Sequence, residues 1–338
     1  MTLALPNTLL RARTAVEPAM RDAVDRLDPD SRALTRYHFG WIDADGSDAV
    51  SAGGKAVRPA LALLSARAVG ADESLAVPGA VAVELVHNFS LVHDDLMDGD
   101  VERRHRATVW ALHGAAAAIL CGDAMLALAT QVLLDVGTLD AIEAARQLTA
   151  ATQELIRGQH ADLDFERRRH VGVDECLAMA AGKTGSLLAC SASIGAVLAG
   201  APAAKSGALS TYGAELGLAF QLVDDLLGIW GVPATTGKPV GSDLRARKKS
   251  LPVAFALDAG GAASAQLAEW LGTEGPDSEA DIARAADLVE AAGGRAWALE
   301  EATRRLSLAE SALAGAELDP DVVGELVGLG RFVVTREG

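Results

Sequence analysis

Long runs rich in Ala, Leu and Val, broken only by single Gly or Pro residues, make up most of this chain and point to an all-α bundle of helices. Hydrophobic residues fill 50% of the 338 positions, yet aromatics supply only 4%. A chain poor in aromatic side chains and rich in Ala and Leu favours helix over strand. The runs predict helices over about 8–27, 75–98, 108–135, 138–166, 173–200, 206–230, 279–315 and 320–334. After a turn at 51–59, Pro59 opens a further helix, since Pro is favoured in a first helical turn. The rest of the first 50 residues reads as a polar connection, and 259–282 as a surface connection rich in Gly, Ala, Ser and Asp. Residues 231–252 form a long polar loop of the kind that is usually functional or disordered. No break is strong enough to mark a second domain, so a single domain over 1–338 is expected.

Charge and cysteine usage narrow the class. The net charge of −16 disfavours a general nucleic-acid binder, which would be basic. Cys121, Cys176 and Cys190 are an odd set in apolar contexts, which suggests reduced, buried thiols in a cytoplasmic protein. The N-terminus lacks a basic start followed by an apolar core, so no signal peptide is expected, and Asp123 interrupts the apolar stretch around Ala115–Thr130, so no membrane span is expected there. Only six basic residues are lysines (Lys55, Lys183, Lys205, Lys238, Lys248 and Lys249), and five of them fall in Gly-flanked or polar stretches beside helix ends. Compact ammonium groups placed there suit phosphate.

Two acidic clusters lie inside apolar helical runs, where carboxylates are normally avoided. In the first, Asp94 and Asp98 are four apart and share a helix face, with Asp95 beside them. Neighbouring like charges repel, and a divalent cation removes the repulsion; an all-oxygen donor set that works with phosphate points to Mg2+. Arg103, Arg104 and Arg106 follow at once and suit a polyanion held between metal and guanidinium groups. In the second cluster, Asp224 and Asp225 follow an apolar run, Gln221 precedes Asp224 by three, and Gly228 stands where a further carboxylate would complete the face. Lys238, Asp243, Arg245, Arg247, Lys248 and Lys249 lie downstream. The plainer alternatives are a solvated helix end for the first cluster and a flexible charged loop for the residues after the second. Lys183-Thr184-Gly185 interrupts an Ala/Leu helix, where a lysine either snorkels or meets phosphate. Gly158-Gln159 and Asp162 look like another polar break in a helix. Gly53-Gly54-Lys55 with Arg58 offers two cations beside a Gly turn, and His87 lies two helical turns before Asp94.

In this order the pieces resemble the trans-isoprenyl diphosphate synthases, the polyprenyl synthase family, over about residues 53–252. The matching segments are GGKAVRP, HNFSLVHDDLMD with ERRHRATVW, GQHADL, KTGSLL, FQLVDD and GKPVGSDLRARKKSLP. The resemblance implies an all-α isoprenoid synthase bundle with a central cavity between two aspartate-rich helices, usually a homodimer. It implies that Asp94 and Asp98 hold two Mg2+ with Asp95 in support, and that Asp224 holds a third with Asp225 nearby. Arg103, Lys183, Thr184, Gln221, Lys238 and Lys248 would bind the allylic diphosphate, and Lys55, Arg58, His87 and Arg104 isopentenyl diphosphate. Metal and cations would stabilise the departing diphosphate, the allylic cation would be attacked by the double bond of isopentenyl diphosphate, and apolar walls would exclude water. The chain departs from the family pattern at Ala56, Gly228 and Arg247. Phe89, five before Asp94 with Ser90 next to it, resembles the tunnel floor of synthases that stop at C20, geranylgeranyl diphosphate, with C15 as the runner-up. A class I terpene cyclase and a non-catalytic partner subunit are the rival readings.

Overall fold

The computed structural model describes residues 7–49, 56–232, 240–273 and 278–334. Among them, extended pairing is confined to one hairpin, Glu102–Arg103 with Arg106–Ala107, and a single bridge between Ile42 and Asp48. Everything else regular is helical, as the composition requires. The chain divides into two compact units, each assembled from separate stretches of sequence.

The first unit takes residues 1–152, 190–210 and 315–329. It contains α1 (Asn7–Val24), α2 (Pro29–His38), α3 (Val57–Ala68), α4 (Val77–Asp98), α5 (Val109–His113) and α6 (Ala115–Leu134). It also takes the start of α7 (Leu139–Arg167) and most of α9 (Ser186–Leu198). At its centre, α4 packs against α6, α3 and α1. Its buried residues, from Gly79 to Asp95, lie on more than one face, as in a helix surrounded by others. Small residues let the backbones close up. A Cβ at Gly195 would stand 2.1 Å from the Ala62 carbonyl oxygen, so α9 and α3 touch there. Gly99, at φ 71°, ends α4 in the left-handed conformation that glycine adopts without steric cost.

The second unit takes 153–189, 211–314 and 330–338. Its elements are the rest of α7, α8 (Val173–Ala180), most of α10 (Ala203–Trp230), α11 (Ser242–Arg245), α12 (Leu251–Asp258), α13 (Gly261–Gly272), α14 (Glu279–Ala291) and α15 (Gly294–Leu313). The last helix, α16 (Pro320–Val334), is shared between the two units. One core gathers Phe165, Cys176, Leu222, Leu226, Leu251 and Ala298; a second gathers Ile229, Leu244, Leu267, Ile282 and Val289.

Several expectations need correction. The polar connection after the first helix contains α2, which starts where the Asp28 carboxylate accepts from the Asp30 and Ser31 amides at 3.1 Å and Pro29 takes the first position. The supposed connection at 259–282 contains α13, of which only Ser264 and Leu267 are buried. The helix expected to open at Pro59 begins two residues earlier, and its first-turn proline still removes no helical hydrogen bond. The run 108–135 is cut at Gly114 (φ 86°). Gly158 and Gln159 do not break their helix, because α7 passes through both. Three stretches, Glu73–Asp98, Ala115–Leu134 and Val173–Leu198, are long and apolar enough to cross a membrane, but 61% of the apolar window of the first is buried inside the protein.

Candidate active site

In the first unit, the last turn of α4 divides its carboxylates between two tasks. Asp95 turns inward, is 2% exposed, and accepts both Nε and Nη2 of Arg103 on Oδ1 at 2.7 Å. Burial raises its pKa and the Arg103 contact opposes that rise. Asp94 is half-buried, and Asp98, one turn later on the same face, is exposed. Arg103 belongs to the hairpin, whose two turn residues, Arg104 and His105, both have positive φ (54° and 61°). Two-residue hairpin turns of this kind ordinarily take Asn or Gly, and a non-glycine residue there costs roughly 1–3 kcal/mol. The hairpin base is tied to the end of α4 by Thr108 Oγ1 and Trp110 Nε1, which both donate to the Asp100 carbonyl at 2.8 and 2.7 Å. The strained turn therefore keeps Arg103 and Arg104 beside the acidic helix end.

Arg58 and His87 lie in the same unit, on α3 and α4. The Arg58 Nε is buried without a partner. Burial and the nearby Arg58, Arg104 and Arg103 charges hold the His87 pKa well below the usual histidine range, so its ring is neutral. Phe89 and Ser90 are buried at 6% and 8% exposure. The Phe89 ring meets the His93 ring edge-on at 5.0 Å, and Ser90 Oγ donates to the His87 carbonyl at 2.8 Å. Lys55 lies outside the described residues.

In the second unit, α8 runs into a π-turn at Ala181–Gly185 before α9, so the predicted interruption at Lys183-Thr184-Gly185 is a local widening of a continuous helical run. Glycines on its neighbours press against this turn. A Cβ at Gly158 on α7 would stand 2.3 Å from the Lys183 amide nitrogen, and one at Gly217 on α10 would stand 2.7 Å from Gly185 Cα. At this junction Lys183 Nζ donates to Asp162 at 2.7 Å. Thr184 Oγ1 donates to Gln221 Oε1 at 2.7 Å, Gln221 Nε2 donates to Asp225 Oδ1 at 2.8 Å, and the Leu251 amide donates to Asp225 Oδ2 at 2.8 Å. Asp225 thus caps α12, while Asp224 is exposed beside it. Burial pushes the Asp225 pKa up to about 7; Asp243 and Asp224 add to the rise, and the two hydrogen bonds oppose it.

Sequence reasoning left Gly228 as a gap in the second wall and gave Asp243 no role. The structure joins the two, since a Cβ at Gly228 would stand 2.3 Å from Asp243 Oδ2. A carboxylate from the loop side occupies the space that an aspartate at 228 would need. Gln159 was also unassigned, although both atoms of its amide are buried without a partner and could receive an incoming polar group. Arg247 adopts φ 50°, donates Nη1 to the Trp270 carbonyl at 2.6 Å and lies 4.8 Å over that ring. The adjacent Lys248 amide donates to the Asp243 carbonyl at 2.8 Å. Lys238 lies outside the described residues.

No three His, Cys, Asp or Glu side chains among the described residues converge to hold a metal unaided. Mg2+ does not require such a cage, because it binds through one or two carboxylates together with substrate phosphates and water. The donors fit it: Asp94 and Asp98 are oxygen donors one turn apart, and the excess negative charge around Asp225 invites a cation. Burial raises the thiol pKa values of Cys121, Cys176 and Cys190 to about 11, 12 and 12, which leaves them poor nucleophiles.

The polyprenyl synthetase family profile matches residues 40–289. The (2E,6E)-farnesyl diphosphate synthase of Mycobacterium tuberculosis is 52% identical over 329 residues, covering 96% of this chain and 92% of the relative. The geranylgeranyl diphosphate synthase of the same organism is 43% identical, covering 97% and 93%. A crystal structure of a polyprenyl synthetase from Streptomyces coelicolor A3(2) superposes with a TM-score of 0.95 at 54% identity, covering 98% of this chain and 100% of that one.

Proposed function

This chain belongs to the polyprenyl synthetase family and is a prenyltransferase, and from that premise we propose that it condenses isopentenyl diphosphate with an allylic diphosphate into a short all-trans prenyl diphosphate. The observation that carries the reading is the arrangement at the end of α4: Asp95 is buried against Arg103, and Asp94 and Asp98 lie one turn apart on the same helix, with Asp98 exposed.

Asp94, Asp98 and Asp224 would hold three Mg2+, with Asp225 and Asp243 adding negative charge to the second wall. When bound, the metal neutralises the charge that gathers on the departing diphosphate. Arg103, kept in place by Asp95, and Lys183, kept in place by Asp162, hold the allylic diphosphate by charge-assisted hydrogen bonds. Thr184 and Gln221 extend that cradle, and Lys238 and Lys248 cap it. Lys55, Arg58, His87 and Arg104 hold isopentenyl diphosphate so that its double bond faces the allylic carbon. As the allylic C–O bond breaks, Arg103 and Lys183 stabilise the leaving oxygen, the isopentenyl double bond forms the new C–C bond to the allylic carbon, and the released diphosphate takes the proton lost from the isopentenyl unit. No protein nucleophile is required.

Product length has two supported readings. A buried Phe89 five residues before Asp94, a helical rise of about 7.5 Å, favours a C20 floor. The higher identity to a farnesyl diphosphate synthase favours C15. We also propose a cytoplasmic homodimer that covers the exposed Leu112, Ile119, Leu120 and Leu134 of α5 and α6. Incubation of the purified chain with Mg2+, isopentenyl diphosphate and an allylic primer tests the function, with mass spectrometry of the product. A prenyl diphosphate supports it. A cyclic hydrocarbon or terpene alcohol would mean a cyclase, and no product at all a partner subunit.

A further inference from the structure

We propose that Tyr37 and Arg106 are positioning residues: they clamp the hairpin of Glu102–Arg103 and Arg106–Ala107 against the segment around the end of α2, and so hold Arg103 and Arg104 in place for a diphosphate. This rests on the reading of Arg103 and Arg104 as diphosphate-binding groups.

The hairpin cannot hold its shape unaided. Each strand is two residues long, and an isolated two-stranded hairpin is marginal in water. Its turn residues, Arg104 and His105, both have positive φ without being glycine, a conformation that persists only where the surroundings over-determine it. Arg103 and Arg106 stand directly opposite in register, so their side chains share a face, where like charges repel. The repulsion is contained by drawing each guanidinium to a different side. Arg103 goes to Asp95 on α4 at 2.7 Å. Arg106 goes to the segment after α2, where its Nη2 donates to the Ile42 carbonyl at 2.7 Å and lies 3.5 Å from Asp43 Oδ1.

Tyr37, in the last turn of α2, completes the clamp. It is 7% exposed, its hydroxyl donates to the Ala107 carbonyl at 2.7 Å, and the Arg106 guanidinium lies 4.7 Å over its ring. The Tyr37 ring also meets the His113 ring of α5 edge-on at 6.0 Å. The segment that receives Arg106 is itself fixed. Ile42 bridges Asp48, the Asp43 amide donates to the Ser47 carbonyl at 2.8 Å, and the Ala49 amide donates to the Trp41 carbonyl at 3.0 Å. A fixed acceptor limits how far Arg106 can move and, through the two-residue turn, how far Arg104 and Arg103 can. The stretch that reads in sequence as a polar connection thus acts on the diphosphate-binding arginines at one remove.

Tyr37→Phe keeps the ring and removes the hydroxyl, Arg106→Met removes the guanidinium, and Arg106→Lys restores a charged donor for the Ile42 carbonyl. Asp28→Ala, which uncaps α2 at the opposite end from Tyr37, is the structural control. Three quantities are measured: KM for each substrate, the urea midpoint, and the rate of tryptic cleavage after Arg103 or Arg104, located by mass. Tyr37→Phe and Arg106→Met are expected to raise KM for both substrates about fivefold, the scale of one buried hydrogen bond, and to speed cleavage at the hairpin. Arg106→Lys should recover part of the loss, since it donates to the carbonyl but lacks the flat group that stacks on Tyr37. Asp28→Ala should lower the midpoint and leave both KM values and hairpin cleavage unchanged. Unchanged KM values in Tyr37→Phe and Arg106→Met, raised values without faster cleavage, or an equal rise in Asp28→Ala would overturn the proposal. Arg103→Met and Arg104→Met test the premise separately. If they leave KM unchanged for the allylic primer and for isopentenyl diphosphate respectively, the reading of the two arginines fails; if they raise it while Tyr37→Phe does not, only the positioning role fails.

Discussion

Replacing Gly158 with alanine should cost both stability and turnover, because the added methyl group meets backbone on the opposite element. Its Cβ would lie 2.3 Å from the Lys183 amide nitrogen and 2.8 Å from Lys183 Cα, where ordinary contact begins at 3.4 Å. The facing Gly182 offers no relief, since a Cβ there would already stand 2.9 Å from the Glu154 carbonyl oxygen. No flexible side chain can yield, so α7 and the π-turn must part by about 1 Å, and overpacking of this kind costs about 1–3 kcal/mol. The same shift moves Lys183 and Thr184 against Asp162 and Gln221, contacts that now measure 2.7 Å each. A misplacement of about 1 Å in a substrate-positioning group lowers rate by roughly 100-fold. Gly324→Ala is the control. It lies in α16 with nothing within 4 Å of its Cβ position, so it should stabilise by about 0.5–1 kcal/mol and leave turnover alone. Urea unfolding and allylic-substrate kinetics on both variants decide the matter. A Gly158→Ala enzyme with wild-type midpoint and rate would refute the backbone contact and the role given to it.

Other outcomes follow from the same geometry. Phe89→Ala should lengthen the product, read by mass, and cost roughly 3–5 kcal/mol in unfolding for the cavity left behind; unchanged length would remove Phe89 as the floor. Gly228→Asp, although it restores the family's usual third acid, should impair turnover because its Cβ meets the Asp243 carboxylate, and pairing it with Asp243→Gly should recover activity. Arg67 holds the Glu325 pKa below the usual carboxylate value, chiefly through a hydrogen bond of 2.7 Å. Its stabilisation is therefore complete above about pH 4.3 and lost as pH falls through the lower folded value. The stability gap between wild type and Glu325→Gln should accordingly close in acid unfolding below that pH.

The sequence made the acidic clusters plain because charge within an apolar helical run has no structural excuse. It could not divide their labour: only the structure shows Asp95 turned inward to Arg103 and Asp225 used to cap α12. The break at Lys183-Thr184-Gly185 was legible and became a π-turn. Gly158 was misread, because glycine looks the same whether it ends a helix or lets another backbone approach. Helix α2 carried the signal Asp28-Pro29 within an otherwise polar stretch, and α13 buries too little to show an apolar stripe. The match of Gly228 to Asp243, and the clamp of Tyr37 and Ile42 on the hairpin, join residues distant in sequence and were invisible without tertiary structure.

The most direct test of the central claim is the incorporation of labelled isopentenyl diphosphate by the wild type and by Asp94→Asn, Asp98→Asn and Asp224→Asn, after chelation and across a titration of added Mg2+. The account predicts no turnover in the chelated wild type, recovery on adding Mg2+, and variants that turn over poorly and need more metal to do so. Wild-type rates in the asparagine variants, or undiminished turnover after chelation, would contradict it.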